Sequence, residues 1–187
     1  MSGINKPGFT LIEIMVALAI IALIAAAVVP RFDRGQPLKR RETFVVELNG
    51  LLGLGWQQAL MTNTIHRVTF DFEKHQVSLQ ADNEAGGEGK KGFQEVKSAY
   101  ITSDIKLPED YEPKQFFIEG SDEVARNRGK TFKLAYIFIV PEGLMQSAVI
   151  NAIDKNDLDE KGRAVRFGLV IHPFSGQCTY HDSFQKP

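Results

Sequence analysis

Apolar residues are distributed along this chain in three different rhythms. From Phe9 to Val29 almost every residue is apolar, and no charge stands between Glu13 and Arg31. A run of about 20 residues, at ~1.5 Å per residue, matches a ~30 Å hydrocarbon core and predicts a bilayer-spanning helix. Asp33–Pro37 contains Gly35 and Pro37 and should bend or loosen that helix. From Leu38 to Thr62 the spacing is helical again: Phe44, Leu48, Leu51, Leu52, Gly55 and Ala59 fall near one face. Gly50, Gly53 and Gly55 weaken this helix intrinsically, or admit close approach of a sheet. Asn63 is a suitable stop.

Beyond Ile65 the period changes to two. Val68, Phe70 and Phe72 alternate with Thr69 and Asp71, and Glu73–His75 reads as a turn before Gln76-Val77-Ser78-Leu79. Asp82–Gly92, polar and with four glycines, reads as a mobile loop. Further strands are expected at Gln94–Ile101, Gln115–Ile118, Thr131–Val140 and Gln146–Ile153, the last two joined through Pro141-Glu142-Gly143. Asp154–Gly162 reads as a charged turn, and Arg163–Ile171 with Gln177–Tyr180 as a hairpin through Pro173–Gly176. The order, helix first and strands after, predicts an α+β fold: a long N-terminal helix packed on an antiparallel β-sheet.

Glu13 stands out in the first apolar run. An acid at the centre of a bilayer helix costs roughly 2.5–3.5 kcal/mol on insertion scales, so it is kept only with a partner. The residues Lys6-Pro7-Gly8-Phe9-Thr10-Leu11-Ile12-Glu13 closely resemble the class III signal of type IV pilins and type II secretion pseudopilins. The resemblance implies a leader, residues 1–8, removed after Gly8 on the cytoplasmic side by a prepilin peptidase. It implies N-methylation of the new terminus, Phe9, and a transmembrane and assembly helix over residues 9–30. Glu13 matches the glutamate that pairs with the N-terminal amine of a neighbouring subunit, and Pro30 matches the kinking proline at the end of the apolar segment. An ordinary secretory signal is a poorer fit, because its apolar region spans only ~7–15 residues. One feature opposes this orientation: Arg31, Arg34, Lys39, Arg40 and Arg41 make the second flank the more basic one. The positive-inside tendency alone would place that flank in the cytoplasm.

The rest of the chain, residues 31–187, is expected to form one periplasmic domain, with a helix at about 38–62 followed by strands. Gln57–Asn63 followed by the hairpin that opens Ile65-His66-Arg67-Val68-Thr69-Phe70-Asp71 looks like the H-type minor pseudopilin of type II secretion. Phe138–Gly143 and the terminal hairpin with Ser175-Gly176 are similar to that family's C-terminal half. The implied role is structural: polymerisation with other pseudopilins into a periplasmic filament that drives protein export. The implied partners are minor and major pseudopilins, the peptidase, the inner-membrane assembly platform and the lipid bilayer, and the implied location is the bacterial inner membrane, crossed once. The alternative is a FimT-like minor pilin of a type IV pilus that binds DNA or a surface ligand. That reading calls for a basic face, for example Lys130, Lys133, Arg163 and Arg166 brought together.

Composition adds little that competes. The 187 residues carry a formal net charge of −1, which gives no sign of a nucleic-acid partner. The single cysteine, Cys178, has no intrachain disulfide partner and is expected to be buried in a strand. His66, His75, His172 and His181 are scattered without metal-ligand spacing, and read as surface or edge residues. No catalytic constellation and no cofactor motif is present: Ser175-Gly176 lacks a nucleophile elbow, and Gly86–Gly92 lacks the phosphate-loop pattern. Tested as a calcium loop from Asp157, the acidic run has Asp159 and Gly162 in place. Lys161 then occupies a ligand position and Gly168 stands where the bidentate glutamate belongs. It reads instead as a solvated turn, and Lys39-Arg40-Arg41 as a solvated cluster with occasional lipid contact.

Overall fold

A computed structural model describes residues 11–33, 36–83, 92–96, 102–127 and 132–187, with side chains for all of these except 25–33 and 36. The chain divides into two compact units, Met1–Arg40 and Arg41–Pro187. In the first unit, α1 runs over Leu11–Asp33. Helix α2, Gln36–Thr62, begins there and continues into the second unit. Pro37 sits in its first turn, where a missing N–H is harmless. The helix ends as its sequence suggests. Asn63 adopts a φ of +52°, the left-handed position just past a helix end, and the Thr62 hydroxyl donates to the Gln58 carbonyl.

The second unit contains two antiparallel sheets rather than the one expected. β1 (His66–Asp71), β2 (Gln76–Asp82), β3 (Phe93–Glu95), β4 (Asp104–Lys106), β7 (Leu134–Val140) and β8 (Leu144–Met145) form sheet A, in the order β3-β2-β1-β7-β8 with β4 also on β2. β5 (Tyr111–Ile118), β6 (Ser121–Asp122), β9 (Ala148–Leu158), β10 (Ala164–Ile171) and β11 (Cys178–His181) form sheet B, in the order β11-β10-β9-β5-β6. A single turn of helix, α3 (Glu123–Arg126), is capped by Asp122. The β1–β2 hairpin has the expected alternation, and the Asp71 carboxylate accepts from the Glu73 and Lys74 amides in its turn. The expectation that Pro141-Glu142-Gly143 joins Thr131–Val140 directly to Gln146–Ile153 is corrected. β7 pairs with β1 and, through that turn, with the short β8; the chain then crosses to sheet B, where β9 pairs with β5 and β10. Period-two alternation records which face of a strand is buried, not which sheet it joins, so it could not separate the two. The loop expected at Asp82–Gly92 and the strand expected at Gln94–Ile101 fall largely on residues outside the described ones.

Both sheets and α2 share one core. Gly55 admits the closest approach of the helix: a Cβ there would stand 2.7 Å from Ile139 Cδ1 and 2.8 Å from Leu79 Cδ1, both of sheet A. Gly50 and Gly53 have open space instead. Phe44 meets Tyr111 of sheet B edge-on at 5.8 Å, and Phe70 of sheet A meets Phe116 of sheet B at 5.4 Å. The apolar face anticipated for α2 is the buried one: Phe44, Leu48, Leu51, Leu52 and Ala59 are all within this core.

Candidate functional site

The first candidate surface is α1. From Leu11 to Ile24 every side chain is exposed, including Leu11, Ile12, Ile14, Met15, Leu18, Ile21 and Leu23. An apolar helix with no buried face needs lipid or neighbouring helices around it, since water would be displaced from all sides by either. Glu13 lies in the first turn of this helix. Gly8 and Phe9 lie outside the described residues, and α1 includes position 30 without its side chain being described. Among the described residues no helix is long and apolar enough to cross a membrane. The span expected for residues 9–30 rests partly on positions outside them.

The second surface is where α2 meets the sheets, and three polar side chains fasten it there. The Arg41 guanidinium is buried, with Nη1 3.2 Å from Asp154 Oδ2 and Nη2 2.7 Å from Asp157 Oδ2. Asn49 reads the backbone of Cys178 with both ends of its amide: Nδ2 donates to the carbonyl at 3.0 Å, and Oδ1 accepts the amide at 2.6 Å. Trp56 Nε1 donates to the Gly143 carbonyl at 2.7 Å. At 100° per residue these three positions lie within an arc of about 80°. Each satisfies a polar group that would otherwise be stranded at the helix–sheet contact.

This overturns two expectations. Arg41 is not part of a solvated cluster, and Asp154 does not belong to a turn. β9 continues through Leu158, and Asp154 is fully buried in it, facing inward in line with Ala148, Ile150 and Ala152. Between the pairs Val165↔Asp154 and Ala164↔Leu158 the register skips, and the extra residues of this bulge bring Asp157 round to the same guanidinium. Burial works against the Arg41 charge, but the bond to Asp157 and the fields of Tyr180, Asp157 and Asp154 outweigh it and raise its pKa. The turn proper starts at Asp159. Its carboxylate accepts the Lys161 and Arg163 amides and the Arg163 guanidinium, which hold its pKa low. A polar residue every seven or eight positions along an otherwise apolar helix face was the signal for Arg41, Asn49 and Trp56. It was masked by the neighbouring Lys39 and Arg40.

The remaining candidates fall in separate places. Cys178 is buried as expected, and burial pushes its thiol up to about 12. His66 is corrected from a surface or edge residue: it is 1% exposed on the central strand β1, with Nδ1 3.0 Å from the Thr64 carbonyl oxygen. Among the described residues no three His, Cys, Asp or Glu side chains gather as metal ligands. Lys133 pairs with Glu73 beside sheet A, whereas Arg163 and Arg166 share a cleft with Lys114 on sheet B; Lys130 lies outside the described residues.

Against known proteins, residues 5–29 match the prokaryotic N-terminal methylation motif. Two solved structures, both of the minor pseudopilin EpsH from the type 2 secretion system of Vibrio cholerae, are similar in layout. One aligns at 12% identity and a TM-score of 0.48 over 75% of this chain and 94% of that one. The other aligns at 14% and 0.49, over 78% and 94%. Among curated proteins none matches this sequence significantly. The chain therefore carries a prepilin-type methylation motif ahead of an α+β domain.

Proposed function

We propose that this chain is a structural minor pseudopilin, most like the H type, of a type II secretion system. In this reading it is cleaved after Gly8, N-methylated at Phe9 and held in the inner membrane by residues 9–30, with the domain in the periplasm. It then joins other pseudopilins in a filament. The observation that carries the reading is α1 itself: exposed on every described side chain, overwhelmingly apolar, bearing one carboxylate in its first turn, and lying largely within the methylation motif. The freed amine of Phe9 would lie four residues, about 6 Å along the axis, from Glu13. Between neighbouring helices such a pair offsets two charges that are each unfavourable in hydrocarbon, and it sets the axial register of helices whose apolar packing is permissive. The three polar fastenings of α2 suit a subunit whose helix must keep one position on its domain.

The test is Glu13→Leu. Membrane insertion should be retained or improved, while cross-linking to partner pseudopilins and secretion should fall sharply at matched expression. Glu13→Asp should be intermediate, because the carboxylate is kept on a shorter arm. Recruitment of the leucine variant at the wild-type level would refute the role given to Glu13.

A further inference from the structure

The outer face of sheet B, opposite the shared core, carries Asn151 on β9 and Gly168 on β10, directly paired across the ladder. After His181 the chain leaves β11 and doubles back across this face without joining any strand. It is held there through one residue. Asn151, fully buried, accepts the Gln185 amide on Oδ1 at 2.9 Å and donates Nδ2 to the Gln185 carbonyl at 2.9 Å. A third bond, Nδ2 to Gln115 Oε1 at 2.8 Å, fixes the orientation of the amide. One side chain thus reads the N–H and C=O of a single residue, as a neighbouring strand would, and takes nothing from that residue's side chain. Gly168 makes room for this: a Cβ there would stand 2.7 Å from the Ser183 carbonyl oxygen and 2.9 Å from Gln185 Cγ. Its φ is not in the left-handed region, so the glycine serves the contact and not the turn. Next along the segment, Phe184 lies under the Arg166 guanidinium at 5.6 Å, beside a cleft of about 420 Å³ lined also by Lys114, Ile153 and Arg163.

We propose that this face is a groove that binds one extended peptide segment through its backbone. Its occupant within the chain is Ser183–Gln185, and release of that segment admits the same segment of a second copy. Three features fit a releasable occupant: no ladder hydrogen bonds, a single bidentate side chain as the anchor, and recognition that depends on backbone shape. Once the segment leaves, the Asn151 amide meets water, so opening strands no polar group. While it is in place, its effective concentration, in the millimolar range for a short connection, keeps the groove closed to competitors.

The experiment uses the full chain in detergent and a variant ending at Asp182. The probe is a labelled synthetic peptide with the sequence Asp182-Ser183-Phe184-Gln185-Lys186-Pro187, followed by fluorescence anisotropy. The shortened chain should keep its melting transition and bind the peptide saturably, at least roughly tenfold tighter than the intact chain, whose groove is filled. In the shortened chain Gly168→Val, which fills the groove on the face away from the core, should abolish binding while leaving the fold in place. Asn151→Leu should weaken binding on the order of tenfold, for two lost hydrogen bonds. A shortened chain that folds without binding the peptide overturns the proposal. So does one that no longer folds, because the segment would then be an integral part of the sheet.

Discussion

Replacing Arg41 by methionine removes the charge while keeping an unbranched apolar stem, and it isolates what the buried ion pair contributes. Asp154 would be left fully buried, its one remaining side-chain bond among the described residues being from the Asn156 amide at 3.1 Å. Asp157 is about a quarter exposed and can turn to water. Breaking a buried pair from one side typically costs 3–5 kcal/mol. Two features favour the lower end here. The Asn156 amide still serves Asp154, and Arg41 Nε has no hydrogen-bond partner among the described residues, so the pair is not fully satisfied to begin with. The expectation is about 3 kcal/mol. For a urea slope of about 2 kcal/mol/M the midpoint would fall by roughly 1.5 M. Trp56 is the only tryptophan and its indole is bonded to the Gly143 carbonyl, so its fluorescence follows the helix–sheet contact directly. Arg41→Met with Asp154→Leu should recover most of the loss, since the orphaned charge is gone and apolar replacements of a buried pair are often neutral or better. A midpoint shift under about 0.5 M in the single variant would mean that Asp154 rehydrates at little cost. A double variant as unstable as the single would mean that packing, not charge, was lost.

Two other outcomes follow from the same contacts. Gly55→Val should destabilise by about 1–3 kcal/mol in the same urea assay, because its side chain meets Ile139 and Leu79 below contact distance and those two must give way; an unchanged midpoint would show that α2 can lift off sheet A freely. Cys178 should resist iodoacetamide at pH 8 until the domain unfolds, since burial holds the thiol neutral. With its folded pKa raised to about 12 from 9.0, the thiol's contribution to stability is complete below pH 9 and is lost as pH rises toward 12, so alkaline unfolding should come earlier than in Cys178→Ala. Rapid alkylation of the native protein would contradict this burial.

What was legible in the sequence was set by local chemistry. The apolar face of α2, its stop at Asn63 and the β1–β2 hairpin follow from spacing and turn residues within a few positions of one another, and each stands where it was expected. What was not legible depends on partners far along the chain. Asp154 looked like the start of a solvated turn because Lys155, Asn156 and Asp157 follow it. Its burial is decided by Arg41, 113 residues away, which in turn was hidden between other basic residues. The division into two sheets was hidden for the same reason, since β7 and the first half of β9 are both largely apolar and lie close in sequence. Gly168 gave no signal at all, because a glycine kept for a neighbour's carbonyl looks like any other glycine in a strand.

The proposal that this is a processed, filament-forming subunit is tested most directly at its amino terminus. The protein would be extracted from membranes of cells with an active prepilin peptidase, and its N-terminal peptide weighed by mass spectrometry. The account predicts a chain that begins at Phe9 and carries one methyl group on its amine, and an unprocessed chain when Gly8 is replaced by a bulky residue. A chain that still begins at Met1 in the presence of the active peptidase would contradict it.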